Sequence, residues 1–535
     1  MPDRWTATFA GLFLQSVAGS PYFVGAYLPT FKTLLGFSDS ETQIVASTGN
    51  LGMYLSQGWG ILFDRYGARF TLFAGCLFSF VGYLLFSLGA GGKGVPHDAV
   101  SMSVYAFLWS EGSGCIDSVV IGVALKNFPD SRGTLVGLLK SLFGISASLY
   151  TLVWGGVFHS RDTVGMLSFC AVVIPSTVLV MLYPLTVIQP QAALVPLTHW
   201  ETRKLSLAFG VVLMIAAYVL SISLFSKIHV GSSESPLISL SLGYVCGVIP
   251  FLSAFTILLF PGGEVDEKVG GDSMSSKLIM IENINAGGEE EETREGEEGL
   301  LQPNPVHGAS LLQALRTIDF WLLFCTLFTV CGAGLTVVNN VGDMTTSLGG
   351  DDSTKNVLVV IFSVCNCLGR LCFGTASDVY RATLSRPIFL VLSAATMALG
   401  CTIVAIAPLP GLYPGVALAG IAYGGIWGTF PSLLADRFST LAIGAISGFS
   451  TLAVALGSYV FSAALASGLY QARASSDGKC VGQTCFSTTF AVLAGANAII
   501  VLAGIALTRK LSYLFDKEGK ARPYMMALEA RDGIP

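Results

Sequence analysis

The chain has 535 residues, of which 53% are hydrophobic and only 12% are charged, with a formal net charge of −5 and a mean hydropathy of +0.68. Its length alone would suit roughly three or four soluble domains, but this composition excludes them. Runs of about 20 apolar residues recur along the chain, and each is long enough to cross a bilayer as a helix.

These runs predict an all-α multi-pass membrane protein with about fourteen transmembrane helices. The first run follows a seven-residue polar start and is too long for the apolar core of a signal peptide, so we interpret it as the first membrane helix. The predicted spans are 8–30, 41–63, 70–90, 99–124, 134–157, 164–187, 205–226, 236–260, 318–341, 355–377, 387–407, 411–434, 443–467 and 488–508.

The distribution of Lys and Arg predicts that both termini are cytoplasmic. With the N-terminus inside, the inner loops and tails hold 20 basic residues and the outer loops hold 7. Basic residues concentrate on the cytoplasmic side of membrane proteins, so this bias sets the orientation. The sequence leaves open whether the membrane is the plasma membrane or that of a vacuole or another organelle.

One segment between the spans differs in composition from the rest of the chain. Residues 261–300 hold 12 acidic and three basic residues, a net charge of −9, which leaves +4 for the remainder. Such a segment cannot bury enough apolar surface to fold, so we predict a disordered cytoplasmic linker over 261–310. A partner or sorting site is the alternative, suggested by the dileucine pattern at 297–301.

Two short motifs recur at nearly the same offset. Gly-x-x-x-Asp follows the second span at 60–64 and again at 374–378, 314 residues later. Gly-x-x-x-Gly opens a fifth span at 133–137 and again at 444–448, 311 residues later. Repeats at one offset indicate a duplicated bundle of two six-helix halves.

The duplication predicts five segments along the chain. The halves are 1–187 and 311–510, and the region 188–260 carries an inserted pair of transmembrane helices. The acidic linker fills 261–310, and a cytoplasmic tail follows at 511–535. An even number of inserted helices leaves both halves with the same orientation.

The loop after the second span reads Gly60-Ile-Leu-Phe-Asp64-Arg65-Tyr66-Gly67-Ala68-Arg69, and it resembles the G-x-x-x-D-R-x-G-x-R loop of the major facilitator superfamily. More narrowly, the chain resembles the nodulin-like branch of that superfamily, known chiefly from plants. A weaker resemblance runs to the monocarboxylate-porter and oxalate/formate-antiporter branches. The stretches that carry the nodulin-like resemblance are Arg4-Trp5 with Gly25-Ala26-Tyr27 and Leu34-Leu35-Gly36-Phe37, then Lys126-Asn127-Phe128-Pro129 through Lys140, and Asp319-Phe320-Trp321 through Gly342.

The resemblance implies a major facilitator-type fold and a secondary transporter that moves a small polar or anionic solute, with proton coupling left open. A monocarboxylate or other organic anion is the alternative substrate class, and a non-transporting receptor or sensor on the same fold is the alternative function. The expected partners are the solute, protons and the lipid bilayer, for a monomer that binds no nucleic acid. Because the sequence carries no hydrolase, metal-binding or nucleotide-binding motif, we expect neither an enzyme nor a cofactor or metal.

By the same resemblance, Asp64 would latch the two halves together on the inside, and Arg65 and Arg69 would add ion pairs. Arg370, on the inner third of its helix, is assigned to the inner gate in preference to the solute. The second loop departs from the pattern, since Val379 stands where the first has Arg65. The gate candidates are Gly60, Asp64, Arg65, Gly67, Arg69, Arg370, Gly374 and Asp378.

Few ionisable residues lie within predicted spans, where charge is costly and marks function; besides Arg370, the candidates are one lone carboxylate and one pair in the fourth and fifth spans. Glu111 lies near the middle of its span, with no basic residue at its depth, so it is a candidate proton carrier or a polar cavity residue. Asp117 and Lys140 lie at similar depths on neighbouring spans and should form an ion pair. That pair either holds the two helices together or binds solute or protons.

Two further groups of residues complete the candidates. Asn339, Asn340 and Asp343 lie at the outer end of a span that should face the central cavity, so they would bind solute or simply face water. Ten of the 12 cysteines lie in spans and should pack as small apolar residues. Cys480 and Cys485 lie in the last outer loop, where an oxidising environment permits a disulfide.

Overall fold

The structure, a computed structural model, describes residues 4–24, 27, 30, 31, 34–55, 57–158, 162–187, 199–228, 309–380, 383–438, 440–475 and 480–511. A 3₁₀ turn follows the first helix, another precedes α12, and a π-helix joins α13 to α14. The helices are α1 (Arg4–Ala18), α2 (Asp39–Tyr54), α3 (Gln57–Ala90), α4 (Ala99–Asn127), α5 (Arg132–Val157), α6 (Thr163–Met181), α7 (His199–Ile228), α8 (Leu311–Leu315), α9 (Ile318–Ser347), α10 (Asp352–Val379), α11 (Pro387–Ile406), α12 (Leu412–Phe438), α13 (Ile443–Ser458), α14 (Ser467–Gln471) and α15 (Thr484–Leu511).

The all-α prediction is confirmed, since the described residues form helices and connecting turns without a strand. Within the described ranges, 11 helices are long and apolar enough to cross a membrane. Twelve of the fourteen predicted spans overlap these 11 helices, and the first, 8–30, overlaps the shorter helix α1. The predicted span 236–260, most of the acidic linker and the tail beyond residue 511 lie outside the described residues.

The second and third predicted spans differ from the observed helices. The second span breaks at Leu55, whose backbone leaves the helical region with φ −84° and ψ 42°, so it is divided between α2 and the start of α3. α3 then begins inside the second span and breaks again at Gly67, where φ is 81° and ψ 177°, and its second part forms the third span. Only glycine adopts that conformation without strain, which explains why the loop motif carries a glycine there.

We call α1–α6 the N-terminal half and α8–α15 the C-terminal half. The two halves meet along two long seams, one between α5 and α10 and the other between α3 and α13. α7 packs against both α5 and α10, so it lies beside the first seam. The motif-bearing ends of α3 and α10 therefore face helices of the opposite half.

Candidate functional site

The two Gly-x-x-x-Asp motifs lie at the same end of the bundle, and the aspartate of each motif contacts the opposite half. Asp64 accepts a hydrogen bond from the backbone N–H of Ala445, at 3.0 Å. Asp378 accepts from the backbone N–H groups of Gly133 and Thr134, at 3.2 and 2.7 Å, and from the Thr134 hydroxyl at 2.8 Å. We call these two contacts the latches, and the end of the bundle that carries them the latch end.

Both latches act as helix caps supplied by the other half. Several described helices take a cap from their own chain neighbour, as Asp98 does for α4 and Asp351 for α10. The residues before α5 and α13, Ser131 and Ala442, make no side-chain cap. A carboxylate at a helix N-terminus satisfies the free N–H groups and the positive end of the helix dipole, which is what the latch carboxylates do here.

The glycines of the motifs allow the halves to come this close. A Cβ atom at position 60 would lie 1.8 Å from the carbonyl oxygen of Gly444, and one at position 374 would lie 2.5 Å from that of Gly133. No side chain fits at either crossing. Each Gly-x-x-x-Asp motif therefore meets the Gly-x-x-x-Gly motif of the other half, a pairing that the repeat offsets alone did not predict.

The two latches differ in the charges around them. Asp64 has one basic neighbour, Lys126, at 3.5 Å. Asp378 pairs with Arg386 at 2.5 Å, and Arg386 also pairs with Asp436 at 2.6 Å. The sequence comparison suggested a weaker second latch because Val379 replaces a base, but Arg386 supplies that base from further along the chain.

Asp436 extends this network across the seam to Arg132, the first residue of α5, at 2.9 Å. Arg386 is 1% exposed and Asp436 is 2% exposed, so both charges are buried. Removing either one would leave the other as an uncompensated buried charge. From sequence, Arg132 and Arg386 are indistinguishable from the other loop bases that predict the orientation. The sequence signal that could have indicated this buried network is the adjacent acid and base Asp436-Arg437, directly after the predicted span 411–434.

Arg65 and Arg69 have a different environment from the one expected. Arg65 lies over the ring of Tyr66, and Arg69 lies over the ring of Tyr183, at 5.4 and 5.1 Å. Within the described part of the chain, neither makes the expected ion pair. Their guanidinium groups remain at the surface of the N-terminal half, where stacking on tyrosine replaces a carboxylate partner.

A narrow cavity lies between the halves, deeper in the bundle than the latches. Its volume leaves space for about one water molecule, so the two halves are closed around it. Seven lining residues come from the N-terminal half and three from the C-terminal half: Tyr22, Met53, Tyr54, Gly114, Asp117, Lys140 and Phe143, with Arg370, Trp427 and Thr451. Of the predicted site residues, the structure brings Asp117, Lys140 and Arg370 together here.

The charges in this cavity do not balance. The predicted ion pair is confirmed: Lys140 donates to Asp117 at 2.5 Å, and Gln15 donates to the other carboxylate oxygen at 2.9 Å. Arg370 is 1% exposed, and its hydrogen-bond partners among the described residues are neutral. They are Asn366 at 2.9 Å and the carbonyl of Lys140 at 2.7 Å. Two buried cations therefore share one carboxylate, and the excess charge is positive.

Aromatic residues that the sequence reasoning missed form the walls of the cavity. The Lys140 ammonium lies 4.5 Å from the ring centroid of Trp427, which stacks on Tyr54 with the two rings 13° from parallel. The indole N–H of Trp427 is buried and has no hydrogen-bond partner among the described residues. A tryptophan between glycines in mid-span, as in Gly425-Ile426-Trp427-Gly428, was the only available signal.

Three tyrosine hydroxyls close the cavity on the side away from the latches. Tyr22 and Tyr54 of the N-terminal half and Tyr423 of the C-terminal half lie 3.0 to 3.2 Å from one another, within hydrogen-bond distance. Tyr423 lies one helical turn further from the latch end than Trp427. No sequence pattern indicates this group, because its members are up to 401 positions apart.

Other predicted site residues lie outside the cavity. Glu111 is 7% exposed and accepts a hydrogen bond from the indole of Trp59 at 2.5 Å, inside the N-terminal half. Asn339 and Asn340 both donate to Ser462 in the π-helix, at 3.2 Å each. Asp343 is exposed on the same helix as these amides.

The disulfide that the sequence left open is present and joins Cys480, in the loop before α15, to Cys485 in the first turn of α15. The other cysteines of the described ranges are free, and most of them are buried among apolar side chains. No group of three or more potential metal ligands occurs in those ranges.

The helical bundle of two halves is similar in fold to solved structures of the major facilitator superfamily. Two solved structures share it over nearly their whole length. A proton:xylose symporter, XylE, is 13% identical and covers 98% of both chains with a TM-score of 0.56. The transporter FucP in an outward conformation is 14% identical and covers 94% of this chain and 98% of its own, with a TM-score of 0.50. At these identities the likeness concerns the fold alone.

Sequence relatives narrow the class. Residues 4–254 match the family described as Nodulin-like, and residues 306–514 match the C-terminal domain of NFD4. The chain belongs to the nodulin-like branch of the major facilitator superfamily. Protein NUCLEAR FUSION DEFECTIVE 4 of Arabidopsis thaliana is 23% identical over 94% of this chain and 88% of its own. An uncharacterized MFS-type transporter of Escherichia coli, YhjX, is 29% identical over 24% of this chain and 32% of its own.

Proposed function

We propose that this protein is a secondary transporter that carries a small organic anion through the central cavity by alternating access. The observation that carries the proposal is Arg370, a buried guanidinium whose described partners are all neutral. Burying an unneutralised charge costs several kcal/mol, so the site favours an anion beside it. Asp117 does not offset this excess, because it already pairs with Lys140.

The cavity has the parts that recognition of such a solute requires. Arg370 and Lys140 supply positive charge, and the indole N–H of Trp427 supplies an unpaired donor. The hydroxyls of Tyr54 and Tyr22 supply groups that donate or accept. A small anion with one further hydrogen-bonding group fits this set, and a monocarboxylate is its simplest example.

Alternating access follows from the two closures of the cavity. The latches join the halves at one end of the cavity. The hydroxyls of Tyr22, Tyr54 and Tyr423, which lie within hydrogen-bond distance of one another, join them at the other end. Opening one closure while the other holds would expose the cavity to one side at a time, as in transporters built from structural repeats. The basic residues around the latch end favour the cytoplasm for that side.

Proton coupling is the second part of the proposal, and Glu111 is its candidate. Glu111 is a carboxyl group buried inside the N-terminal half, and it accepts a hydrogen bond from the Trp59 indole. Because Glu111 lies outside the cavity, it would respond to protons without touching the solute. A receptor on the same fold remains the second candidate function, since solute binding alone would occupy the same cavity.

The test is uptake of labelled solutes into vesicles reconstituted with the purified protein, with and without a pH gradient. Small carboxylates should be accumulated, while neutral sugars and cations should not. Arg370→Gln should abolish uptake of the carboxylates, whereas Arg316→Gln, which removes an exposed base at the latch end, should leave it unchanged. Binding of a carboxylate without uptake would favour the receptor, and equal uptake by the two variants would contradict the anion site.

A further inference from the structure

α7 belongs to neither half of the duplicated bundle, yet one side of it is fully packed. Its buried residues recur every three or four positions, which places them on a single stripe. Residues on the other side, such as Leu213 and Met214, are 46% and 62% exposed, as expected for a surface that faces lipid. The stripe consists of Leu205, Ala208, Val212, Ile215, Ala216 and Val219.

The stripe contacts both halves at once. Its residues pack in one cluster with Leu138 and Leu142 of α5 and with Val364 and Leu371 of α10. These are the two helices that form the first seam, on either side of the crossing between Gly133 and Gly374. α7 therefore covers that seam from the membrane side.

The first turn of α7 is fixed to the N-terminal half. Glu201 accepts two hydrogen bonds from the Arg4 guanidinium, at 2.9 and 2.6 Å, and one from the Trp5 indole at 2.6 Å. Trp5 packs edge-on against Phe128 in the turn before α5, close to the latch end. A two-pronged arginine–carboxylate contact fixes direction as well as position.

We propose that α7 is a strap that holds the latch end closed. Its ion pair keeps it on the N-terminal half, so α10 cannot separate from α5 unless it also leaves the stripe of α7. Helix association in lipid depends on close packing, since the surrounding lipid is as apolar as the side chains. The stripe therefore adds contacts that exist only while the seam is closed, and it shifts the equilibrium between the two states toward closure.

The measurement is the accessibility of the cavity from the latch end, and it requires no solute. Met53 lines the cavity and is 7% exposed, so Met53→Cys reports opening by its rate of reaction with a membrane-impermeant thiol reagent. Arg316→Cys, exposed at the latch end, identifies the side of sealed vesicles on which that end lies. The rate for the native cysteines is subtracted by using the chain without the reporter.

The variant Val212→Ala with Ile215→Ala shortens the stripe, and Leu213→Ala with Met214→Ala is its control on the opposite side of the same helix. The stripe variant should raise reporter labelling from the latch end at least about threefold, the change that corresponds to one interhelical contact in a membrane. The control should label at the original rate. Thermal unfolding is measured first to show that both variants are folded. Equal labelling rates in the two variants would then overturn the proposal.

Glu201→Gln is a second variant, and it leaves the stripe intact. It tests the strap proposal even if the variant Val212→Ala with Ile215→Ala fails to fold. It removes the charge that Arg4 holds, while Arg203→Gln removes an exposed charge two positions further along. Labelling should rise for Glu201→Gln and not for Arg203→Gln. A rate that is unchanged or lower for Glu201→Gln would refute the strap, whether or not the protein transports anions.

Discussion

Replacing Asp378 by asparagine should open the latch end far more often than replacing Asp64 by asparagine. Asp378 accepts three hydrogen bonds from the N-terminal half, at Gly133 and Thr134, as well as the pair with Arg386. Asparagine keeps the shape but loses the charge and one acceptor. Charge-assisted hydrogen bonds contribute about 1.5–3 kcal/mol and neutral ones about 1 kcal/mol, so the three cross-half bonds together should lose about 1.5–6 kcal/mol, with about 3 kcal/mol as the middle of that range.

Asp64 makes one cross-half hydrogen bond at 3.0 Å, to Ala445, and its basic neighbour Lys126 lies in the same half. The same reasoning gives a loss of about 1 kcal/mol. The difference of about 2 kcal/mol corresponds to a factor of about 30 in the equilibrium between the closed and open latch end. The larger effect is therefore expected in the loop that departs from the superfamily pattern.

The assay is labelling of Met53→Cys from the latch end in vesicles, with transport rate and abundance measured beside it. Asp378→Asn should raise the labelling rate at least about tenfold above that of Asp64→Asn. Both variants should slow cycling more than they reduce abundance, because the latches act between states. If Asp64→Asn opens the latch end as much as Asp378→Asn does, the number of hydrogen bonds that a latch carboxylate makes to the other half does not set the strength of the latch. If abundance falls in proportion to rate, the latches serve folding instead.

Three further predictions concern the membrane residues and the linker. Glu111→Gln keeps the hydrogen bond to the indole but cannot titrate. It should therefore abolish solute accumulation driven by a pH gradient while sparing some solute exchange. Normal accumulation in this variant would rule out the proton role. Asp117→Asn should leave Lys140 as a second uncompensated buried cation, and we expect lower thermal stability as well as slower uptake; unchanged stability would show that the pair is dispensable. A single cysteine at position 290 should be labelled only from the cytoplasm, and labelling from outside would refute the predicted orientation.

The helices and the motif loops could be predicted from sequence because both depend on local signals. Apolar runs of spanning length identify membrane helices whatever their neighbours are. The glycine and carboxylate of each loop were visible through their repetition, at Asp64 and Asp378. The pairing of Asp117 with Lys140 followed from depth alone, since an unpaired charge is costly in lipid.

The cavity could not be predicted in the same way, because its composition depends on which distant helices meet. Tyr22 comes from the 3₁₀ turn after α1, Tyr54 from α2 and Tyr423 from α12, and nothing in their local sequence distinguishes them from other tyrosines in spans. Glu111 stood out as a lone central carboxylate, but the rotation of α4 turns it away from the cavity and toward Trp59. Depth can be estimated from sequence, whereas the direction in which a side chain points requires the packing.

The reciprocal capping by Asp64 and Asp378 has a consequence for the origin of the chain. Each half carries the acceptor that a helix of the other half lacks, so neither α5 nor α13 has its own cap when its half is alone. Two copies of one half, related by a twofold axis, would satisfy each other through the same contacts. The arrangement is thus self-complementary, and it is what a fused gene would retain if its ancestor had assembled as a homodimer.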